Sequence, residues 1–589
     1  MKRSKKVLCI LIVVLTGFQS KGQMNEMWGK QVVNLNANNA ERGQLFRDGN
    51  YAMFIHWGLY SNIANEWKGK TYYGIGEWIM NKNMANIPVE DYKMTAKSFN
   101  PVKFNAKAIA RLAKDAGMKY IIITSKHHEG FAMYHSKVSK FNIVDATPFG
   151  RDPMKELAQA CKEEGIGFGF YYSHNQDWTE PGGNGGPTTD ETGKKITFDD
   201  YFKNKCLPQV EEITTGYGPI ELVWFDTPGN MPKEYAQQLV DIVHKNQPHA
   251  YVSGRVGHGL GDYMTLGDME VPVENVEGLW ESVDVTNDSW GFADYDKNWK
   301  SPKEILMNLI STVARGGTFM LNIGPKPDGS VPELAAKSLR SAGEWVKKYP
   351  QVVYGTEPSP WKHALPWGDV TTKGNQLFLS VYKWPTDGNL YLPGLRTEII
   401  GVKLLDGNKH QPVSFKNAGK WINIKLPVQS PEKFIPVVEI TLKSKPEVNS
   451  IQGIDPSICS ILPADFAKVE QCEKKSKSWM EKFGEWKHVM QISKWSENAK
   501  ATFEVDVLNP GYYLVELNYS GNGKQVWSIA TDEGSEIRNQ QNSSPIYAYH
   551  PFGWLQLKSQ GKHTISISLL EGDREDASLT AIKFTPIEF

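Results

Sequence analysis

The sequence predicts an α/β protein, a (β/α) barrel of TIM-like and irregular form followed by two all-β sandwich domains. Three observations carry this. The runs Tyr120–Thr124 and Ile220–Phe225 are almost continuously apolar, as expected of strands covered on both faces. Between such runs lie amphipathic helical stretches. After about residue 355 the helical period gives way to short strands separated by Gly, Pro and Asp turns.

Taken in order, the strand candidates of the first part are Ala52–His56, Tyr120–Thr124, Gly167–Tyr172, Ile220–Phe225, Tyr251–Ser253 and Thr318–Ile323. In the helix predicted over Ala106–Gly117, the residues Ile109, Leu112, Ala113 and Ala116 fall on one face. In Pro153–Gly165 the same role falls to Met154, Leu157, Ala158 and Cys161, and Gly165 stops the helix. Repeated βα units favour a barrel over an open doubly wound sheet, and no GxGxxG or P-loop motif follows a strand. Domains are expected at 24–352 (barrel), 353–445 (sandwich) and 446–589 (a second sandwich). Lys443–Pro456 reads as the linker, and Ala501–Val507, Tyr512–Tyr519, Val526–Ala530, His563–Leu569 and Leu579–Thr585 as strands of the last unit.

A chain of 589 residues exceeds one ordinary core. Lys+Arg and Asp+Glu both number 66, so there is no basic surplus for nucleic acid. Nineteen Trp among 11% aromatics fit a loop-rich globular protein, and indoles also stack on sugar faces. Residues 1–23 have a basic start (Lys2, Arg3, Lys5, Lys6), an apolar run from Val7 to Leu15 and a polar end: the layout of a secretory signal, too short to span a bilayer. An exported protein is expected, periplasmic, secreted or held at the cell surface, with no membrane span. Cys161, Cys206, Cys459 and Cys472 are too few for a disulfide scaffold and form no CxxC pair; Cys459 and Cys472 are close enough in sequence to bridge.

Position carries the functional signal. Four strand runs end in polar or aromatic clusters: Phe54-Ile55-His56-Trp57, Thr124-Ser125-Lys126-His127-His128-Glu129, Tyr171-Tyr172-Ser173-His174 and Trp224-Phe225-Asp226. In a parallel barrel these ends share one mouth, where catalytic groups gather. Asp226 reads as a nucleophile or base, or as a helix N-cap. His56, His127, His128 and Glu129 are candidate metal ligands, but no i, i+4 His pair supports this; neutral imidazoles also suit sugar hydroxyls. Trp57, Trp67, Trp78, Trp224 and Trp290 read equally as core or site. Arg255 reads as a surface ion pair or, at a strand end, as a residue that holds a hydroxyl or orients a carboxylate.

These ordered motifs, with Gly76-Glu77-Trp78, Trp280-Glu281, Ser289-Trp290-Gly291-Phe292 and Gly316–Pro325, resemble the α-L-fucosidases of glycoside hydrolase family 29 over most of residues 45–345. The resemblance implies a retaining hydrolase of terminal α-L-fucose on glycans, without a cofactor or metal. It implies Asp226 as nucleophile, and His56, Glu77, Trp78, His127, His128, Tyr171, Trp224, Arg255 and Phe292 as the fucose pocket. The general acid is left open, because the stretch Gly261–Pro272 is variable in the family: many relatives carry Thr-Pro-Glu there and this chain has Thr265-Leu266-Gly267. Glu270 is the first choice, Glu281 the second, with Glu274, Glu277 and Asp268 behind them. The last unit resembles carbohydrate-binding β-sandwiches more loosely; Trp479, Trp486, Trp495, Trp527 and Trp554 are its platform candidates. Linkage preference and oligomeric state have no reading in the sequence.

Overall fold

Alternation within each apolar run decides which side chains fill the barrel and which meet the helices. The computed structural model describes residues 44–407, 409–479 and 485–587, so the expected signal segment lies outside the described residues. Eight parallel strands form one curled sheet: β1 Tyr51–Ile55, β2 Tyr120–Lys126, β3 Gly167–Tyr172, β4 Leu222–Phe225, β5 Tyr251–Val252, β6 Met264–Thr265, β7 Trp280–Val285 and β8 Thr318–Ile323. Their order in space is β5-β4-β3-β2-β1-β8-β7-β6. The two edges meet through a parallel bridge between Ser253 and Tyr263, and Asp262 N–H donates to the Val252 carbonyl at 2.8 Å. Along β1, Ala52 and Phe54 point inward while Met53 and Ile55 face the helices; Ile122 and Trp224 do the first on β2 and β4, Ile123 and Phe225 the second.

Helices cover the outside. α1 (Ala106–Ala116) is capped by the Asn105 side chain, which accepts from Ala108 N–H, and ends at Gly117 with φ of 86°. α2 (Pro153–Glu164) follows the same plan with Asp152 and Gly165, whose φ is 69°. α3 (Leu207–Thr215), α4 (Lys233–Asn246), α5 (Pro302–Ala314) and α6 (Glu333–Lys348) complete the layer. Only a short 3₁₀ turn, Gly254–Val256, separates β5 from β6, and none of these helices intervenes between β6 and β7, which is the irregular part of the barrel. β6 and β7 escape the apolar-run criterion. β6 is two residues long, and β7 carries Glu281 and Asp284, the latter neutralised by Lys300 at 3.1 Å.

Beyond the barrel, among the described residues, all strands pair antiparallel but one. Strands between Gly368 and Leu442 form a five-stranded and a three-stranded sheet around Trp361, Trp367, Leu377 and Ile440. Two six-stranded sheets follow, packed around Trp495, Trp527, Phe503 and Ile567. The exception is Gln452–Ile454, which pairs in parallel with Val505–Val507; the stretch read as linker therefore ends in a strand. Cys459 and Cys472 do not bridge, and Cys161 and Cys206 are buried and free.

Candidate active site

Every carboxyl end of the barrel points to one mouth, and there lies a cavity of about 360 Å³. Asp226 follows β4 directly. Its Oδ1 accepts from the Thr227 N–H at 2.9 Å and from Arg255 Nη1 at 3.1 Å. Its Oδ2 accepts from the Tyr171 hydroxyl at 3.0 Å and lies 3.7 Å from His128 Nε2. Both oxygens act as acceptors only, the behaviour of an ionised carboxylate. Thr227 has φ of 46°, so the chain turns sharply just past Asp226, presenting it to the cavity.

Arg255, 2% exposed, organises the floor. Besides Asp226 it donates to Thr265 Oγ1 at 3.0 Å, the Leu266 carbonyl at 3.1 Å and Asp268 Oδ1 at 2.6 Å, and its guanidinium lies 4.7 Å over Trp224. One planar fork thus holds two carboxylates, Asp226 and Asp268, and both line the cavity. Burial, helped by the negative charge of Asp226, pushes the Asp268 carboxyl up to about 6 against the pull of Arg255.

The imidazoles are fixed as neutral groups. Asn322 Nδ2 donates to the Trp290 carbonyl at 2.7 Å and its Oδ1 accepts from His56 N–H at 3.0 Å, so the amide orientation is determined. The 2.8 Å contact between that Oδ1 and His56 Nδ1 then requires the proton on Nδ1 and leaves Nε2 an acceptor. Burial pulls this imidazole down to about 4. Ser173 donates to the Gln176 carbonyl at 2.9 Å and accepts from His128 Nδ1 at 2.7 Å, so His128 also keeps Nε2 unprotonated; burial, with the charge of Lys126, brings it to about 3. His127 stacks on Tyr171 at 5.1 Å, and Tyr171 on Trp224 at 5.4 Å, a continuous ring wall beside Asp226. Tyr172 belongs to the outer layer and donates to Gln209.

Glu77 lies on the short 3₁₀ turn Gly76–Trp78, where its Oε2 accepts from Gly291 N–H at 2.7 Å; burial pushes its carboxyl up to about 8. Trp78 and Trp290 supply further aromatic wall. Three expected site residues stand elsewhere. Glu281 is fully buried below the mouth, where its Oε1 accepts from Trp224 Nε1 at 2.8 Å. Phe292 lines a separate surface groove with Trp299, because the irregular segment after Trp290 turns away over Gly76. Glu270 is absent from the cavity lining; its Oε2 is occupied by His488 Nδ1 at 2.6 Å and Gly267 N–H at 3.1 Å. The lining instead includes Asp268, Gln176, Asn83 and Trp486. Of these Asp268 is a candidate acid by its place in the sequence and Trp486 a platform candidate of the last unit, but nothing in the sequence brings Trp486 to the barrel mouth, some 220 positions away along the chain by number.

Ligand atoms of His127, His128 and Asp226 lie within 4.8 Å of one another, a spacing that a metal ion can use. The negative charge of Asp226 is, however, already matched by Arg255 at 3.1 Å, and imidazole nitrogens beside aromatic faces suit a neutral, hydroxyl-rich ligand.

A parallel barrel whose mouth holds two carboxylates in an aromatic, imidazole-lined cavity defines a barrel glycoside hydrolase. The family model described as Alpha-L-fucosidase matches residues 17–351, and the chain belongs to the alpha-L-fucosidase family. It is 31% identical over 339 residues to a putative alpha-L-fucosidase of Caenorhabditis elegans, covering 54% of this chain and 67% of that protein. The structure of an alpha-L-fucosidase from Vibrio sp. strain EJY3 superposes with a TM-score of 0.74 at 28% identity, covering 92% of this chain and 97% of that one. A Bacteroides thetaiotaomicron alpha-L-fucosidase trapped as a covalent intermediate with 2-fluoro-fucosyl fluoride superposes with a TM-score of 0.61 at 25% identity, covering 68% and 95%.

Proposed function

We propose that this family member is an exported, retaining α-L-fucosidase acting on fucosylated glycans, with Asp226 as nucleophile and Asp268 as acid and base. The observation that carries it is the pair of carboxylates on Arg255, one an acceptor in every contact and the other pushed up to about 6. In the first step an Asp226 oxygen bonds to C1 of fucose as the glycosidic C1–O bond breaks, and Asp268 gives its proton to the departing oxygen. In the second, water attacks C1, Asp268 takes the water proton, and the C1–Asp226 bond breaks. Two inversions give net retention, which requires carboxyl groups about 5–5.5 Å apart.

The acceptor nitrogens of His56 and His128 and the protonated carboxyl of Glu77 match the sugar hydroxyls, and the Tyr171–Trp224 wall matches its apolar face. Asp268 replaces Glu270 as acid here because Glu270 Oε2 is held by His488 and Gly267, outside the cavity. Export rests on residues 1–23. Hydrolysis of 4-nitrophenyl α-L-fucoside tests the activity: Asp226→Asn should lower kcat by about 10⁴-fold or more. Full turnover in that variant refutes the nucleophile, and a Glu270→Gln loss exceeding that of Asp268→Asn refutes the acid. Release of mature protein beginning near residue 24 outside the cytoplasm tests the signal.

A further inference from the structure

One residue facing the cavity comes from outside the barrel. Trp486 stands just before the strand Lys487–Ser493 of the last sandwich, is half-buried, and lines the cavity with Asp226, Asp268 and Trp78. Its backbone N–H donates to the Asp268 carbonyl at 3.1 Å. Two residues on, His488 Nδ1 meets Glu270 Oε2 at 2.6 Å, and that oxygen also accepts from Gly267 N–H. Gly267 has no room for a side chain: a Cβ there would lie 1.7 Å from the Trp486 carbonyl oxygen. The segment Leu266–Glu270 is therefore gripped from both sides, by Arg255 of the barrel and by Trp486 and His488 of the sandwich.

The acid of a retaining glycosidase stands beside the bond it breaks, so groups on its far side meet the leaving group. Trp486 shares the cavity lining with Asp268 and is tied to it through the backbone, which puts an indole beside the proton donor. We propose that Trp486 forms the binding surface for the sugar to which fucose is attached, with His488 a positioning residue that fixes this wall through Glu270. The occupant is a neutral pyranose, whose apolar face suits an indole. The proposal rests on the assignment of Asp226 and Asp268 given above. It makes the last sandwich part of the active site and gives it a role in choosing among fucosides.

The test compares two substrates of the full chain: α-L-fucosyl fluoride, whose leaving group cannot reach Trp486, and the fucosyl disaccharide that the wild type cleaves fastest. In Trp486→Ala the ratio of kcat/KM for disaccharide over fluoride should fall roughly tenfold, chiefly through KM. Trp486→Phe should recover most of it, and His488→Ala should shift the ratio in the same direction by less. A ratio within about twofold of wild type in Trp486→Ala overturns the subsite and leaves the assignment of Asp226 and Asp268 standing. A wild type that cleaves neither substrate brings both down.

Discussion

Strand β2 ends between two pockets of buried polar groups, and they solve the problem of burial differently. On the outer side Lys126 lies 3.0 Å from Asp177 and 3.0 Å from the Tyr201 hydroxyl, and Lys205 reaches Asp177 at 3.0 Å and Glu180 at 2.9 Å. Charges there are matched pairwise, and the two ammonium groups hold the Asp177 carboxyl below its usual range despite burial. On the inner side His127 and His128 are kept neutral by burial, and two carboxylates share one guanidinium. The outer pocket satisfies its own charges and has nothing left to offer a ligand. The inner one leaves acceptor nitrogens facing a cavity and holds a carboxyl near the pH at which it can both give and take a proton. A matched buried ion network is a reason to assign a structural role; the same residue types left unmatched around a cavity point to chemistry.

The contrast can be broken from either side. The largest effect within this contrast is expected inside, second only to loss of the Asp226 nucleophile: Asp268→Asn should lower kcat/KM on a fucosyl disaccharide by roughly 10²–10⁴-fold, measured by fucose release. In the wild type the same constant should decline as pH rises through about 6, because the acid must be protonated to act; that alkaline limb should vanish in the Asn variant. Outside, Asp177→Asn leaves Lys126 and Lys205 buried with their shared anion gone. It should cost about 3–5 kcal/mol in denaturant unfolding, while the protein that remains folded keeps most of its turnover. A variant that loses activity but no stability would erase the distinction between the pockets.

The smallest effect concerns Glu281. Burial pushes its carboxyl up to about 8 in the folded protein, against an unfolded value near 4.5. Between these values the folded state binds the extra proton, so this group's contribution to stability falls as pH rises from about 4.5 to 8. Glu281→Gln keeps an acceptor for Trp224 Nε1 and removes that dependence. Its thermal midpoint at pH 8 should rise by roughly 2–4 °C relative to the wild type, with little change at pH 5.

Much of this was legible in the chain. Near-continuous apolar runs mark the strands that helices cover, and polar clusters after them mark the mouth, so Asp226, His56 and His128 stand where strand ends place them. What was not legible has physical reasons. Glu281 and Asp284 disguise β7 because their charges are dealt with only in three dimensions, the first by burial that favours its protonated form and the second by Lys300. Polar strands such as Glu536–Ser543, exposed along alternate positions, carry no apolar run to find. Asp268 and Glu270 lie two residues apart on one loop, and only tertiary contacts tell them apart, Arg255 on the first and His488 on the second. Trp486 joins the site through packing between distant segments, which leaves no local pattern.

The most direct measurement is mass-spectrometric peptide mapping of the enzyme after brief exposure to 2-fluoro-α-L-fucosyl fluoride. One fucosyl label is expected, on the peptide that contains Asp226, formed at a rate that Asp268→Asn barely changes because fluoride departs with little acid assistance. A label on any other side chain would contradict it.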